Sequence, residues 1–194
     1  MTLKPVLTFA HSLLSDVVAT GDTVIDCTMG NGHDTLLLAN LVGEAGHVLA
    51  FDIQQSALES TRTLLVQHSI APERATLIKA SHANVAAHIP KEMHGRVKAA
   101  IFNLGYLPGG DKRICTAPHT TIQAVEALLS LLAPGGVIVL VVYQGHAEGV
   151  VEATQLVEYC TNLPHSSVNA IKYQILNKLN NPPFVIALEK LGEQ

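Results

Sequence analysis

The feature that most constrains the fold of this chain is a regular alternation of short apolar segments with segments of helical periodicity. Seven apolar segments have the length of strands, at residues 23–26, 47–52, 76–79, 99–103, 137–143, 168–176 and 184–189. Helical spacing of apolar side chains predicts helices at 7–18, 35–42, 56–68, 119–132 and 149–162, with a weaker one ending near residue 89. This order predicts a doubly wound α/β sheet with right-handed crossovers.

The strand segments also predict how the strands run. The central ones are apolar without alternation, which is typical of parallel strands covered on both faces. The last two are joined by a short polar loop that cannot hold a crossover, so they are expected to form an antiparallel hairpin. We find no repeat and no linker, and 194 residues is an ordinary size for one domain. The prediction is one domain, residues 1–194, with a mostly parallel seven-stranded sheet ending in that hairpin.

Composition excludes several classes of protein. Because 48% of the residues are hydrophobic, the chain is not expected to be disordered. Its longest unbroken apolar run, residues 137–143, is too short to cross a membrane. The start has no signal-peptide pattern, and Cys27, Cys115 and Cys160 are too far apart for a CxxC pair, so the cytoplasm is the expected compartment. The histidines and cysteines show no zinc-ligand spacing, so no metal is predicted.

A glycine-containing turn, residues 26–34, follows the first predicted strand. In a doubly wound sheet this is where a ligand meets the strand ends. Gly30 and Gly32 allow the backbone to turn tightly and to approach a ligand closely. Asp52 lies twenty residues beyond Gly32, at the end of the second strand, where its carboxylate can accept hydrogen bonds from ribose hydroxyls. The turn therefore predicts a nucleoside cofactor, although a glycine turn without a ligand is the simplest alternative.

Two cofactor classes share this layout. A dinucleotide site has the pattern GxGxxG, but here Thr35 occupies the third glycine position and Asp34 would bring a carboxylate close to two phosphates. An acid four residues before the first glycine, Asp26, instead fits S-adenosylmethionine, which carries no phosphate. The turn favours an S-adenosylmethionine-dependent methyltransferase over a nicotinamide-dependent oxidoreductase, which remains an alternative here.

The loop after the fourth strand, residues 103–112, is the second chemical signal. In this topology it faces the reactive end of the cofactor. The Asn103 carbonyl can accept a hydrogen bond from an amine and direct its lone pair, and Tyr106 can stack on a planar base. The alternative is a glycine-rich loop in which Asn103 caps its own backbone.

A later motif resembles the NPPY/F signature of amine methylases. Asn181, Pro182, Pro183 and Phe184 form it, but they lie between the last two strands, whereas that signature follows the fourth. We therefore do not assign Asn181 a catalytic role. Residues 177–184 are expected on the same rim as the cofactor, as a substrate-contacting lip or as a plain hairpin turn.

Taken together, the motifs resemble a bacterial family labelled "putative rRNA methylase". The residues that carry the resemblance are 24–35 (VIDCTMGNGHDT), 50–54 (AFDIQ), 81–82 (SH), 103–112 (NLGYLPGGDK), 141–146 (VVYQGH) and 180–184 (NNPPF). The resemblance covers nearly the whole chain and implies a Rossmann-like class I methyltransferase fold with S-adenosylmethionine as cofactor. The family includes the tRNA methyltransferase that converts 5-aminomethyl-2-thiouridine at wobble position 34 to its 5-methylaminomethyl form.

The resemblance also implies a cofactor site. Its members would be Asp26, Met29, Gly30, Asn31, Gly32, Asp52, Gln54, Ser81 and His82. Met29, Asn31 and Gly32 would contact the methionine part, Asp52 and Gln54 the ribose and adenine edge, and Ser81 and His82 the adenine. One departure is Ala80, since many class I enzymes carry an acid there that holds the adenine amine.

The implied acceptor is a primary alkylamine, whose pKa in water is ~10.4 if it resembles lysine. Only the neutral amine can attack, so the site must favour it, through burial and through repulsion from the sulfonium charge. We predict that Asn103 holds an N–H and directs the lone pair, and that Tyr106 stacks on the uridine or gates it. Asp111, Tyr143 and His146 are further candidates for orienting the amine or relaying its proton.

Contact with RNA must be local, because the net charge is −4 and the pI about 6.2. Four basic residues could ring the rim and meet a tRNA anticodon stem-loop: Lys112, Arg113, Lys172 and Lys178. A homodimer would double that basic surface. The alternatives are a methyltransferase of the same fold that acts on rRNA or a small metabolite, and a binding module that only retains the cofactor pocket.

Overall fold

The computed structural model describes residues 2–111 and 113–192. Within them seven strands form one sheet, in the order β3-β2-β1-β4-β5-β7-β6. The strands are β1 Thr23–Asp26, β2 His47–Asp52, β3 Ala75–Lys79, β4 Val97–Leu104, β5 Leu132–Val142, β6 Val168–Tyr173 and β7 Phe184–Lys190. The first five are parallel, whereas β7 runs antiparallel to both β5 and β6. The predicted fold class, including the terminal hairpin, is confirmed.

Helices cover both faces of the sheet. They are α1 Val6–Val17, α2 His33–Val42, α3 Gln55–Gln67, α4 Val85–His88, α5 Pro118–Leu131 and α6 Ala147–Thr161. Buried side chains of α1, α2 and α3, such as Leu14 and Leu38, join the apolar cluster on one face. Those of α4, α5 and α6, such as Leu128 and Leu156, join the cluster on the other face. The sheet is therefore buried on both sides, as its non-alternating strands predict.

Strand β5 begins five residues earlier than the sequence predicts. Leu132 already pairs with Val97 of β4, and the register then shifts between Val97 and Ala99. The Pro-Gly-Gly segment expected as a turn lies inside this irregular start of the strand. A Cβ on Gly136 would lie 3.0 Å from the Lys98 carbonyl oxygen, so the two backbones can approach only because the residue is glycine.

The carboxyl ends of the parallel strands form one rim, and the chain changes direction there. The connection after β1 leads to β2 on one side, while the connection after β4 leads to β5 on the other. The β6–β7 loop also reaches this rim, because Phe184 pairs with Val142 at the end of β5. The Gln144 side chain donates a hydrogen bond to the Pro182 carbonyl across it, at 3.0 Å. Ligands of doubly wound sheets bind at such a switch point.

No helix in the described ranges combines the length and the apolar character that a membrane span requires.

Candidate active site at the carboxyl edge of the sheet

A cavity of about 970 Å³ opens at this rim, which is a size typical of a small-molecule site. It brings together ten of the residues predicted from the sequence: Met29, Gly30, Asp52, Gln54, Ser81, His82, Asn103, Tyr106, Tyr143 and His146. Four other predicted residues are not among those that line it: Asp26, Asn31, Gly32 and Asp111.

The glycine turn is tied to the end of β2. The Gly30 N–H donates to Asp52 Oδ2 at 3.1 Å, and the Gln54 N–H donates to Asp52 Oδ1 at 2.9 Å. Each carboxylate oxygen therefore keeps a lone pair for a ligand hydroxyl. These two bonds hold Asp52 at the cavity wall, in the place expected for a ribose contact.

Gly32 and Asn31 have contacts behind the cavity wall. Gly32 has a φ of +86°, and a Cβ there would lie 2.9 Å from Thr61 Cα on α3, so this glycine allows the turn to pack on the helix. The Asn31 side chain donates to the Pro108 carbonyl at 3.3 Å and joins the turn to the loop after β4. In this structure both residues shape the cofactor half of the site without lining it.

Asp26 is fully buried beneath the same turn. The Thr35 hydroxyl donates to Asp26 Oδ2 at 2.6 Å, and the Thr28 N–H donates to Asp26 Oδ1 at 3.1 Å. Burial and the nearby charge of Asp34 raise the pKa of Asp26 to about 7. The carboxyl group thus orders the backbone of the turn from below. Thr35, which occupies the third glycine position of the dinucleotide pattern, is therefore the hydrogen-bond partner of Asp26.

Ser81 and His82 follow β3 at the far end of the cavity. The Ser81 hydroxyl accepts a hydrogen bond from the Ala83 N–H at 3.3 Å and caps a short 3₁₀ turn. His82 Nδ1 donates to the Cys27 carbonyl at 3.1 Å, and burial lowers the pKa of the imidazole. His82 Nε2 is then a buried acceptor, with no partner in the part of the chain that the structure describes.

Asn103 lies near the end of β4 and lines the cavity. Its backbone N–H donates to Thr28 Oγ1 at 2.7 Å, and its side-chain Nδ2 donates to Asp34 Oδ2 at 2.8 Å. The other oxygen of Asp34 accepts a hydrogen bond from His11 Nε2 at 2.7 Å. The Asn103 amide is therefore oriented by Asp34 rather than by its own backbone, and its Oδ1 remains available to a ligand N–H.

His11 and Asp34 were not predicted as site residues. The sequence suggested Asp34 only as an obstacle to phosphate, although its place just after the glycine turn was a usable signal. His11 lies on α1 and gives no local signal, because it reaches the rim only when α1 packs across β5.

The remaining predicted catalytic residues have different surroundings. Tyr106 and His146 both line the cavity. Their rings meet edge to face, with 5.8 Å between the ring centroids. Tyr143 also lines it, and burial followed by the charge of Asp34 raises the pKa of its hydroxyl. Asp111 is exposed and pairs with Arg113 at 2.6 Å, and this contact lowers the pKa of the carboxyl. The structure therefore places Asp111 in a surface ion pair.

The predicted basic residues are dispersed. Arg113 is exposed beside Asp111, and Lys178 is exposed in the β6–β7 loop. Lys172 Nζ lies 4.2 Å from the centre of the Phe184 ring, an arrangement typical of a cation–π contact. Lys112 lies outside the described residues.

The chemistry of the wall distinguishes between the two cofactor classes. Among the described residues that line the cavity there is no lysine or arginine, and the carboxylates there are Asp34 and Asp52. A pyrophosphate would have no cationic side chain from this set and would meet two negative charges. A nucleoside without phosphates fits this wall, and Asp52 keeps lone pairs that ribose hydroxyls can use.

Comparison with known proteins also favours a cofactor without phosphates over a dinucleotide. A family model described as "Putative rRNA methylase" matches residues 48–189. A chloroplastic tRNA (mnm(5)s(2)U34)-methyltransferase of Arabidopsis thaliana is 40% identical over 188 residues, which are 93% of this chain and 68% of the relative.

Two solved structures are similar over almost their whole length. A "putative rRNA-methylase" from Clostridium thermocellum has a TM-score of 0.94 and 40% identity, covering 98% of this chain and 100% of that one. A "putative methyltransferase" from Streptococcus mutans, solved with S-adenosylhomocysteine (SAH), has a TM-score of 0.87 and 35% identity, covering 97% and 99%.

Proposed function

Since the chain belongs to the family described as "Putative rRNA methylase" and is an S-adenosylmethionine-dependent methyltransferase, we propose that it methylates a tRNA wobble uridine. The acceptor would be the amine of 5-aminomethyl-(2-thio)uridine at position 34, and the product 5-methylaminomethyl-(2-thio)uridine. The name of the Arabidopsis relative supports this substrate. The nicotinamide alternative is set aside, whereas the cytoplasmic location stays a prediction.

The cofactor would occupy the half of the cavity formed by the ends of β1, β2 and β3. Asp52 would accept hydrogen bonds from the ribose, and Ser81 and His82 would flank the adenine, while Ala80 offers no acid to hold its amine. Gly30 leaves room for the methionine part beside Met29. When bound, S-adenosylmethionine supplies a methyl group on a positively charged sulfur, and its transfer forms a C–N bond, breaks a C–S bond and releases one proton from the acceptor ammonium.

The observation that carries the proposal is the fixed amide of Asn103. Because Asn103 Nδ2 donates its hydrogen bond to Asp34, Oδ1 is the atom that can accept a hydrogen bond from the amine of the substrate. Such a contact directs the nitrogen lone pair, and positioning supplies much of the catalysis in a displacement of this kind. No strong base is needed once burial has made the amine neutral.

The outer wall of the cavity suits a planar base. Tyr106 and Tyr143 line the cavity and are both 39% exposed, so a uridine in the cavity can contact them. His146 lies against Tyr106 and can orient it. The β6–β7 loop, with Lys178, would meet the phosphates of the anticodon stem-loop from the same rim.

The decisive experiment is mass spectrometry of tRNA nucleosides from cells that lack the protein. We expect loss of 5-methylaminomethyluridine and accumulation of its 5-aminomethyl precursor, with both reversed when purified protein and S-adenosylmethionine are added to the isolated tRNA. Unchanged 5-methylaminomethyluridine would remove the tRNA substrate.

The family description favours rRNA as the second candidate substrate. The same tRNA and rRNA preparations should therefore be incubated with radiolabelled cofactor in parallel. Label in rRNA, with none in tRNA, would support this candidate instead.

A further inference from the structure

The cluster of His11, Asp34 and Asn103 contains a carboxylate whose negative charge is not needed to orient the Asn103 amide. We propose that Asp34 is the specificity residue that binds the positively charged amine of the acceptor and thereby rejects neutral or anionic groups at the same position. This inference rests on the proposed function. His11 is the positioning residue that holds Asp34 in place.

Asp34 has hydrogen-bonding capacity left for a ligand. Its two oxygens each accept one bond, from His11 at 2.7 Å and from Asn103 at 2.8 Å. A carboxylate offers about four acceptor sites, so roughly half remain. Because Asp34 lines the cavity directly beside Asn103, the same ligand nitrogen can contact both side chains.

The charge of Asp34 is not neutralised by a strong cation. It is only 7% exposed, and the described residues that line the cavity include neither lysine nor arginine. The other carboxylate of the wall, Asp52, is bound to the backbone N–H groups of Gly30 and Gln54 in the cofactor half. With His11 neutral, the half of the cavity around Asn103 and Asp34 therefore carries a negative charge of its own, which favours an ammonium ion.

Other groups around Asp34 sharpen this preference. Asp26 lies beneath it on β1, and the charge of Asp34 helps to raise the pKa of Asp26. Tyr143 faces it from the end of β5, and the same charge raises the pKa of that hydroxyl. An acceptor bearing a carboxylate would add a further negative charge to this group, so such an acceptor should be excluded.

Recognition and reaction then use different forms of the amine. The ammonium predominates in water and is the form that Asp34 binds. Contact with the Asp34 carboxylate raises the pKa of the bound amine, whereas enclosure in the cavity and the positive sulfur of the cofactor lower it. The ammonium must release its proton to water before the nitrogen attacks. The contact with Asp34 therefore contributes mainly to acceptor affinity.

The test compares two synthetic anticodon stem-loops, with 5-aminomethyluridine and its neutral analogue 5-hydroxymethyluridine at position 34. Binding is measured by calorimetry in the presence of SAH, so that no turnover occurs. We expect wild-type protein to bind the aminomethyl stem-loop ~10- to 100-fold more tightly, as for a hydrogen bond to a charged group. Asp34→Asn should reduce this preference to about threefold or less. Asp16→Asn, an exposed aspartate on α1, is the matched control and should keep the preference.

Turnover separates recognition from a general structural defect. With the aminomethyl stem-loop, Asp34→Asn should raise KM by more than it lowers kcat, because the asparagine oxygen can still accept the hydrogen bond from Asn103 Nδ2. The SAH affinity should stay within about threefold of wild type. For the positioning role, His11→Ala should lose most of the preference and His11→Gln, which restores an N–H donor, should regain it.

The outcomes are distinguishable. Equal wild-type affinity for the two stem-loops, together with turnover of the aminomethyl one, overturns the role of Asp34 alone, and this result needs no variant to fold. An Asp34→Asn protein that keeps the wild-type preference does the same. Wild-type protein that neither binds nor methylates the aminomethyl stem-loop overturns the proposed function and the role of Asp34 with it.

Discussion

Asn103 is held at two of its atoms, and this restraint determines what the residue can do. Thr28 accepts a hydrogen bond from its backbone N–H, and Asp34 accepts one from its side-chain nitrogen. The amide therefore cannot rotate freely, and its oxygen is the atom left for a ligand. Such preorganised groups contribute most when charge develops in the transition state.

Replacement of Asn103 by alanine should act on turnover. We expect Asn103→Ala to lower kcat ~100-fold or more, because the acceptor nitrogen loses the group that directs its lone pair. The affinity for SAH, measured by calorimetry, should change by less than about threefold. Asn40→Ala, at an exposed position on α2, is the control and should behave as wild type. A comparable loss of SAH affinity would contradict the role of Asn103.

Asp26 makes stability depend on pH. Its pKa is about 7 in the folded protein against 3.8 for an ordinary aspartate, so between these values the folded state binds more protons than the unfolded state. The free energy of unfolding must therefore fall as the pH rises through this window. The ionised carboxylate is the destabilising form.

Asp26→Asn should remove this dependence. Urea unfolding should show the variant to be more stable than wild type at pH 8, by on the order of a few kcal/mol, with a much smaller difference at pH 4. The asparagine oxygen can still accept from the Thr28 N–H, and the Thr35 hydroxyl can rotate to meet its amide. A difference that is the same at both pH values would show that the carboxyl group is not the cause.

At the scale of elements, the loop between β4 and α5 is anchored by three linked hydrogen bonds that converge on the buried Glu152. The Gly105 N–H donates to Thr116 Oγ1 at 3.0 Å, and the Thr116 hydroxyl donates to Glu152 Oε2 at 2.6 Å. Thr121 on α5 donates to the other oxygen of Glu152 at 2.8 Å. Burial raises the pKa of Glu152 above its ordinary value, although the hydrogen bonds from Thr116 and Thr121 partly offset this rise. These three hydrogen bonds join α5 and α6 to the loop that carries Tyr106.

Thr116→Val tests this anchor with almost no change of volume. It should cost ~1–3 kcal/mol of stability, because Gly105 and Glu152 each lose a partner. Amide hydrogen exchange should quicken in residues 105–117 more than in the sheet, and KM for the acceptor should rise. Thr154→Val, at an exposed position on α6 whose hydroxyl bonds its own helix, is the matched control. Unchanged exchange in the loop would refute the anchor.

At the scale of the whole molecule, the net charge of −4 limits how RNA can bind. Four basic residues are candidates for phosphate contacts at the rim. Each such contact contributes ~0.7–0.9 to the slope of log affinity against log salt concentration. The logarithm of the affinity for an anticodon stem-loop should thus fall with the logarithm of salt concentration with a slope no steeper than about −4. Fluorescence anisotropy between 50 and 200 mM salt, concentrations at which such slopes are read, measures it.

Replacement of Lys172 and Lys178 by alanine together should make that slope shallower by about 2 or less. Lys91→Ala is the control, because residue 91 precedes β4 at the opposite edge of the sheet. If the double variant and the control have the same slope, the β6–β7 side of the rim does not meet the phosphates.

Several features were predictable because they depend on neighbours in sequence. Strand and helix periodicity requires only local side-chain spacing, so the element order and the parallel sheet followed directly from it. Parallel strands end at one rim, which is why Asp52 and Asn103 could be placed beside the same cavity before any contact was known. The β5 start escaped prediction, since it depends on how closely Gly136 approaches the neighbouring strand.

By itself, then, the sequence determined the fold class, the cofactor class and the position of Asn103. Only the tertiary structure decided that Asp26 lies buried under the glycine turn and that Asp111 lies on the surface. Only the tertiary structure likewise joined His11 to Asp34, 23 residues apart, and Asp34 to Asn103, 69 residues apart. The physical reason is that hydrogen-bond partners and burial depend on how helices pack across the sheet, and residue spacing along the chain does not contain that packing.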